Sequence, residues 1–316
     1  MSRLSPVPEP ITVDLLREGI IESQHQAQAV LCDGRGRVRM AAGDPNTSAF
    51  IRSALKPLQA LAATSTGTLD ALGLSDRDLA IMCASHDGSP ALARQAFHVL
   101  WRSGLEASDL RCPTPAGQQS PLNHNCSGNH AGMLAVCKQC SWSTRDYLDP
   151  KHPVQQLVLK KVSECIGLPP AELITARDDC GMPTYYLQIS QMAALYAHLS
   201  AGNSLDMERI TRAMVHYPEL VAGEGRFDTE LMRLTAGEVV SKSGAEGIQC
   251  LGQIGQGMGL AIKVKDGAKR AKYAVAIHLL QQLGWIQPDI AQQLSEQFLV
   301  LSPVKRLEVV GDLAMV

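Results

Sequence analysis

Aromatic side chains, clusters of basic residues and long apolar runs are all scarce in this chain of 316 residues. Phe, Trp and Tyr together make up 4% of it, and 29 basic side chains nearly balance 31 acidic ones. Phosphate binding needs clustered Lys and Arg, so the composition argues against a nucleic-acid partner. No apolar run is long enough to cross a bilayer, which argues against a membrane-spanning protein.

The sequence also shows no export signal. The first residues, Met1 to Pro6, run into prolines and lack the apolar core of a signal peptide. The nine cysteines are therefore expected to be reduced thiols, as in proteins that remain inside the cell. We predict a cytoplasmic protein that binds neither nucleic acid nor membrane.

The order of strand-like and helix-like segments predicts an α+β fold. Short apolar runs flank the turn Asp33–Gly36, and a glycine-punctuated, β-rich region extends from Gly237 to Val264. We predict a single catalytic domain, 1–316, whose antiparallel sheet is built from both chain ends. Its sheet lobe would cover about 10–70 and 235–316, and its helical lobe about 75–233. The predicted helices are a buried one from Ser53 to Leu72, then Pro90–Gly104, His152–Ile166, Thr184–Leu199, Asp206–His216 and Ala268–Leu283.

A serine and a lysine three residues apart, Ser53 and Lys56, open the first of these helices. At this spacing both side chains lie on one helical face, so a neutral lysine amine can take the proton of the serine hydroxyl. The helix N-terminus would favour developing negative charge beside Ser53. The alternative is a helix-capping serine followed by a solvated lysine, because a lone Ser-x-x-Lys pattern is common in long chains.

Two further segments supply hydroxyl and lysine side chains. Ser85 lies in a loop with His86 and Asp87, where it can relay a proton, whereas for the other two residues we favour a turn with capping roles. Lys242 precedes a hydroxyl residue and Gly244 on a predicted edge strand. In Ser-x-x-Lys acylating enzymes such a strand lines the far wall of the site.

The densest polar cluster runs from Asn123 to His130, and it contains one of two cysteines that are candidates for metal binding. Thiolates from Cys126 and Cys180, with a nitrogen and a water, would make a plausible zinc shell. Ordinary burial is the alternative for two cysteines so far apart in the sequence.

These segments together make the chain resemble the L-asparaginase II family, the class 3 serine-type L-asparaginases. The resemblance extends over nearly the whole chain. The motifs that carry it are Arg17 to Ser23, Gly43-Asp44-Pro45, Arg52 to Ala60, Cys83-Ala84-Ser85-His86, Asn125 to Gly128, Asp178 to Gly181 with Pro183, and Lys242 to Gly247.

The resemblance implies a serine β-lactamase/glutaminase-like fold with Ser53 as the nucleophile, Lys56 as its base, and Ser85 and Lys242 as further catalytic residues. It also implies a zinc ion held by Cys126, Cys180 and a lysine, with no organic cofactor. The lysine position is Asn129 in this chain, and an amide oxygen suits zinc poorly beside thiolates. The site is then empty, weakened, or completed by His130. The residues predicted to bind substrate are Arg52, His86, Asn125, His130, Asp178, Gly244 and Glu246.

The activity that the resemblance implies is hydrolysis of L-asparagine to L-aspartate and ammonia through a serine acyl-enzyme. Two alternatives remain open at this level. The same fold and residues would serve a glutaminase or another Ser-x-x-Lys hydrolase, and the substitution at Asn129 would also suit a catalytically silent zinc- or ligand-binding protein. A homodimer is expected, because relatives of this type tend to pair.

Overall fold

The computed structural model describes residues 7–316. The chain divides into two compact units. The first, here called the sheet unit, comprises the chain up to Ala54, Leu187–Ala201 and Leu234–Val316. The second, the helical unit, comprises Leu55–Tyr186 and Gly202–Arg233. The predicted sheet lobe included residues 55–70, which belong to the helical unit. The predicted helical lobe included residues 187–201, which belong to the sheet unit.

The described residues form twelve strands, most of them short. They are β1 Ile11–Arg17, β2 Ile20–Asp33, β3 Val38–Ala42, β4 Ser48–Phe50, β5 Ile174–Arg177, β6 Pro183–Gln188, β7 Val239–Ser243, β8 Ile248–Gln253, β9 Met258–Val264, β10 Val300–Ser302, β11 Lys305–Val310 and β12 Ala314–Met315. The predicted hairpin around Asp33 is confirmed by β2 and β3.

Thirteen α-helices lie within the described part of the chain, and none is long and apolar enough to cross a membrane. They are α1 Lys56–Gln59, α2 Leu61–Ser65, α3 Thr68–Leu72, α4 Asp76–Met82, α5 Pro90–Arg102, α6 Ser127–Gln139, α7 Pro153–Ile166, α8 Ile189–Ser200, α9 Leu205–His216, α10 Pro218–Ala222, α11 Phe227–Leu234, α12 Lys269–Gln282 and α13 Pro288–Phe298.

The sheet unit contains one nine-stranded sheet with the path β10-β11-β1-β2-β9-β8-β7, extended by β3 and β12. Neighbouring strands pair antiparallel, and the long strand β2 joins the N-terminal strand β1 to the C-terminal strand β9. The predicted α+β fold, with an antiparallel sheet built from both chain ends, is confirmed. Strand β7, which carries Lys242, ends this path as predicted.

Helix α8 packs closely on this sheet at a glycine of strand β9. A Cβ on Gly259 of β9 would lie 2.1 Å from the Ala193 carbonyl oxygen, so only glycine lets strand and helix approach this closely. The Tyr196 hydroxyl of α8 donates a 2.8 Å hydrogen bond to the Ala54 carbonyl. The helix therefore holds the backbone that leads out of the sheet unit.

Three parts of the helix prediction are wrong. The segment predicted as a helix from Ser53 to Leu72 is a 3₁₀ turn, Arg52–Leu55, followed by three short helices. Gly67, at a φ of 67°, separates two of those helices because its left-handed backbone does not continue a helix. Residues Pro183–Gln188 form β6 rather than the start of the Thr184–Leu199 helix, in keeping with the β preference of threonine and tyrosine. Helix α13 and strands β10–β12 were not predicted. Most of their side chains are exposed, so these segments lack a clear pattern of apolar residues.

Candidate active site

The turn that carries Ser53 is strained and well anchored. Arg52 has a φ of 54°, a left-handed conformation that costs a residue with a side chain about 1–3 kcal/mol. The Ala54 N–H donates to the Ile51 carbonyl at 3.3 Å, and the Ala54 carbonyl accepts from Tyr196. Strain of this kind is typical of functional sites, where the surrounding structure over-determines the backbone.

The end of strand β7 lies against this turn within the sheet unit. Lys242 is fully buried, and its Nζ donates to the Ser243 carbonyl at 2.9 Å. A Cβ on Gly244 would lie 2.8 Å from the Ile51 carbonyl oxygen, two residues before Ser53. The sheet unit therefore brings the predicted strand wall beside the predicted nucleophile, and a glycine is required at the point of contact.

Two backbone N–H groups flank this contact and have no acceptor within residues 7–316. They belong to Ser53, in the first turn of its 3₁₀ segment, and to Ala245, just beyond the end of β7. Ala245 is exposed, so its N–H faces solvent rather than costing a buried hydrogen bond. Paired, unsatisfied backbone donors beside a nucleophile are the arrangement that stabilises a tetrahedral oxyanion.

The helical unit contributes Lys56, whose side chain is only 3% exposed. Its Nζ donates to the Ala84 carbonyl at 2.6 Å, to Ser85 Oγ at 2.9 Å and to Cys126 Sγ at 3.2 Å. Ser85 and Cys126 can both exchange protons, and Ser85 is the residue predicted to relay one. The predicted pair of Lys56 and Ser85 therefore lies within hydrogen-bonding distance.

The backbone around this cluster explains why distant residues meet there. The Ser85 N–H donates to the Val221 carbonyl at 2.8 Å, and the His86 N–H donates to the Asn125 carbonyl at 3.1 Å. Gly128, in the first turn of α6, has no room for a side chain, because its Cβ would lie 2.1 Å from the Ile81 carbonyl oxygen of α4. This close packing sets Cys126, just before α6, beside the loop that follows α4.

The two predicted metal ligands lie next to each other in the helical unit, and their protonation is asymmetric. A hydrogen bond from Cys180 is the main cause that holds the pKa of Cys126 well below its usual value; the positive charge of Lys56 adds to it and burial opposes it. The same hydrogen bond, together with burial, raises the pKa of Cys180. Of the two cysteines, Cys126 therefore has the lower pKa.

His86 is a buried residue of the predicted substrate set. Its ring is 2% exposed, with Nε2 donating to Ser127 Oγ at 2.9 Å and Nδ1 accepting from the Gly88 N–H at 3.0 Å. The Ser127 hydroxyl itself donates to the Leu122 carbonyl, which fixes this neutral tautomer. Burial, with the positive charge of Lys56, lowers the pKa of His86 to about 4. Both ring nitrogens of His86 are thus hydrogen-bonded within the protein, and its binding of substrate stays a prediction.

His130 is fully buried as well, and burial lowers its pKa to about 3. Its Nδ1 lies 2.7 Å from the Tyr147 hydroxyl, which accepts the Arg111 N–H and so donates its own proton to the ring. Nε2 then carries the hydrogen of the neutral ring, and it has no partner among the described residues. The binding of substrate by His130 stays a prediction, and the residue is fully buried in this structure.

The residues present do not complete a zinc shell. Asn129, at the position of the family's lysine, turns its amide nitrogen onto the Met82 carbonyl at 3.2 Å. Among residues 7–316 no group of three His, Cys, Asp or Glu side chains is placed to hold a metal ion. Two thiols without a third ligand bind zinc poorly, so no catalytic step is assigned to a metal here.

Of the remaining predicted substrate residues, Gly244 is buried and the other four are at least partly accessible. Arg52 and Asp178 are half-buried, whereas Asn125 and Glu246 are exposed. Glu246 shares the left-handed backbone of Arg52, with a φ of 55°. Sequence reasoning missed Ala245 and a buried lysine, Lys272, that reaches the same turn. Neither could be found from the sequence, since one acts through its backbone and the other stands alone on a helix.

Comparison with known proteins places the chain in a class. The sequence profile of the family described as L-asparaginase II matches residues 13–315. The chain therefore belongs to the L-asparaginase II family. No curated protein matches the chain.

Solved structures resemble it only distantly. The native form of Mglu in 4.3 M NaCl is 15% identical, with a TM-score of 0.49, over 83% of this chain and 61% of that one. A β-lactamase from Mycobacterium bovis is 14% identical, with a TM-score of 0.45, over 86% of this chain and 95% of that one. A putative β-lactamase from Bacteroides dorei is 11% identical, with a TM-score of 0.39, over 83% and 89%. The chain thus spans less than two thirds of Mglu.

Proposed function

We propose that the protein hydrolyses the side-chain amide of L-asparagine through an acyl-enzyme on Ser53. The observation that carries the proposal is the buried amine of Lys56, three residues after Ser53, hydrogen-bonded at 2.9 Å to a second hydroxyl, Ser85. Once its amine is neutral, a buried lysine among exchangeable protons can take the proton of a serine and pass it onward. Family membership supports amide hydrolysis, and the choice of asparagine is the proposal's own.

The reaction begins when Ser53 Oγ attacks the amide carbon and its proton passes to the Lys56 amine. Through Ser85, that proton then reaches the departing nitrogen, and ammonia leaves as the carbon–nitrogen bond breaks. Water attacks the resulting ester, gives its proton back along the same path, and releases aspartate.

The developing negative oxygen needs donors that are already in place. The unpartnered N–H groups of Ser53 and Ala245 supply them, and both lie in the sheet unit on either side of the contact between Gly244 and Ile51. Removing one such donor typically slows catalysis by about 10²–10³-fold. This is the largest single stabilisation that the proposed mechanism assigns to the backbone.

Ammonia release from L-asparagine tests the proposal directly. Ser53→Ala should lower kcat by at least about 10³-fold with an unchanged melting temperature, because the side chain is half-buried and removing its oxygen leaves no buried group unpaired. Near-wild-type ammonia release by this variant would reject Ser53 as the nucleophile. The matched control is Ser243→Ala, one residue after Lys242, which alters a hydroxyl of the same strand without touching the proposed proton path.

The same assay with glutamine separates the substrates, since the Ser53 and Lys56 chemistry does not choose between the two amides. Metal analysis of the purified protein addresses the silent zinc-binding alternative: zinc without ammonia release would favour it. We also propose a cytoplasmic homodimer, which light scattering on the purified protein and fractionation of the cell would test.

A further inference from the structure

Lys272 is a buried cation with no role in the mechanism above. It lies in the first turn of α12 and is 3% exposed. Its Nζ donates to the Gly244 carbonyl at 2.7 Å and to the Ile248 carbonyl at 3.0 Å, and it sits 5.3 Å from the centre of the Tyr273 ring. All of these groups belong to the sheet unit. The lysine therefore forms hydrogen bonds to both ends of the turn that joins β7 to β8.

The Gly244 carbonyl and the Ala245 N–H belong to the same peptide unit. A trans peptide is planar, so its C=O and N–H point in opposite directions and move as one rigid group. An ammonium bound to that carbonyl on one side fixes where the N–H points on the other. It also draws electron density toward the oxygen and so makes the N–H a stronger donor.

We propose that Lys272 is a positioning residue for the oxyanion site: it aims and polarises the Gly244–Ala245 peptide. This inference rests on the proposed function. A purely structural lysine is a poor alternative, because replacing a buried charge by an apolar side chain of similar size is often neutral or stabilising. Lys272 is buried and donates to the peptide whose N–H is unpaired. Orienting and polarising that N–H explains why a lysine is buried at this position.

A second lysine on the same turn provides the matched control. Lys263 of β9 is half-buried and donates to the Glu246 carbonyl at 2.5 Å and the Val264 carbonyl at 2.9 Å. It therefore binds the Glu246–Gly247 peptide, two peptide units after the Gly244–Ala245 peptide. Removing this lysine loosens the same turn without touching the peptide of Ala245.

The test compares Lys272→Met with Lys263→Met in the full-length protein. We expect kcat for ammonia release to fall about 10–100-fold in the first and at most about threefold in the second, with KM within about twofold in both. Lys272→Arg, which keeps a cationic donor, should recover part of the loss. Equal losses in the two methionine variants, or an unchanged kcat in folded Lys272→Met, would overturn the proposal.

Two additional measurements keep the result interpretable. Leu280→Val, in the core two turns along α12, reports what lost stability alone does to kcat, and we expect no change at 25 °C. If Lys272→Met does not fold, Lys272→Gln takes its place, since a neutral amide donor keeps one hydrogen bond without the charge. An unchanged kcat in that variant contradicts the polarising role.

A fluorophosphonate probe distinguishes this inference from the choice of substrate, because phosphonylation of a serine uses the same oxyanion donors. Slower labelling of Ser53 in Lys272→Met supports the positioning role even when wild type does not act on asparagine. Wild type that is labelled at Ser53 but shows no difference from Lys272→Met rejects the role of Lys272 alone. A wild-type protein that is neither labelled nor active rejects both proposals.

Discussion

Lys56 of the helical unit and Lys272 of the sheet unit are equally buried, yet they are bound to different kinds of partner. Lys56 donates to one carbonyl, one hydroxyl and one thiol, whereas Lys272 donates to two backbone carbonyls. A carbonyl only accepts hydrogen bonds, so it does not exchange a proton with its lysine. A hydroxyl or a thiol can also give up or take a proton, so it can pass one to or from its lysine.

The comparison shows that burial alone does not make a lysine catalytic. The partners decide whether the amine moves a proton or holds the backbone. In this protein one buried lysine is suited to proton transfer and the other to fixing a peptide.

The first prediction concerns proton transfer by Lys56. Lys56→Met should lower kcat for ammonia release by about 10³-fold or more, and Lys56→Arg should lower it nearly as much, since a guanidinium does not give up its charge. Lys272→Arg, in contrast, should recover part of the activity that Lys272→Met loses. If arginine restores activity at Lys56 as well as at Lys272, the two lysines do the same job and the distinction fails.

The second prediction concerns acid stability near Lys56. The pKa of His86 is about 4 in the folded protein, below the ordinary value of about 6.5. Between pH 4 and pH 6.5, the unfolded chain therefore binds a proton at His86 that the folded protein does not. Stability is therefore complete above about pH 6.5 and falls as the pH drops toward 4, by about 3 kcal/mol from this residue.

His130, whose pKa is about 3, extends the loss to lower pH. Urea unfolding at pH 7, 5.5 and 4 measures the effect. His86→Asn removes one titrating group, so its unfolding free energy should change less between pH 7 and 4 than that of the wild type. An equal change in both proteins would show that His86 is protonated in the folded state.

The third prediction concerns the thiols beside Lys56. Asn129→Lys restores a third ligand next to Cys126 and Cys180, and we expect it to bind zinc at least about tenfold more tightly than the wild type. Equilibrium dialysis followed by metal analysis measures this without any activity assay. Asn129→Gln is the control, since it lengthens the side chain but adds no amine. Tight zinc binding by the wild type would show that His130 or another residue already completes the site.

The family and the α+β class, with a sheet built from both chain ends, could be predicted from the sequence, because they depend on local patterns and on short motifs. The hairpin around Asp33 and the helix that begins at Pro90 were predicted for this reason, and the structure has both. The sequence analysis also named Ser85 as a proton relay, and its hydroxyl is hydrogen-bonded to Lys56 in the structure.

Other parts of the site depended on residues far apart in sequence. His86 matched a substrate-binding motif, but its ring is occupied by Ser127 and Gly88, and no local pattern reports such partners. The helix predicted over Thr184–Leu199 began as a strand because pairing with β5 outweighed its helical pattern.

The sequence by itself determined which side chains are chemically able to act: a serine and a lysine one turn apart, a second hydroxyl, and two cysteines. Only the tertiary structure decided what each of them does. Lys272 shows why, since its function depends on a carbonyl 28 positions away in the chain. The direction of a single peptide N–H is set by packing and hydrogen bonding, and neither is encoded within any short stretch of residues.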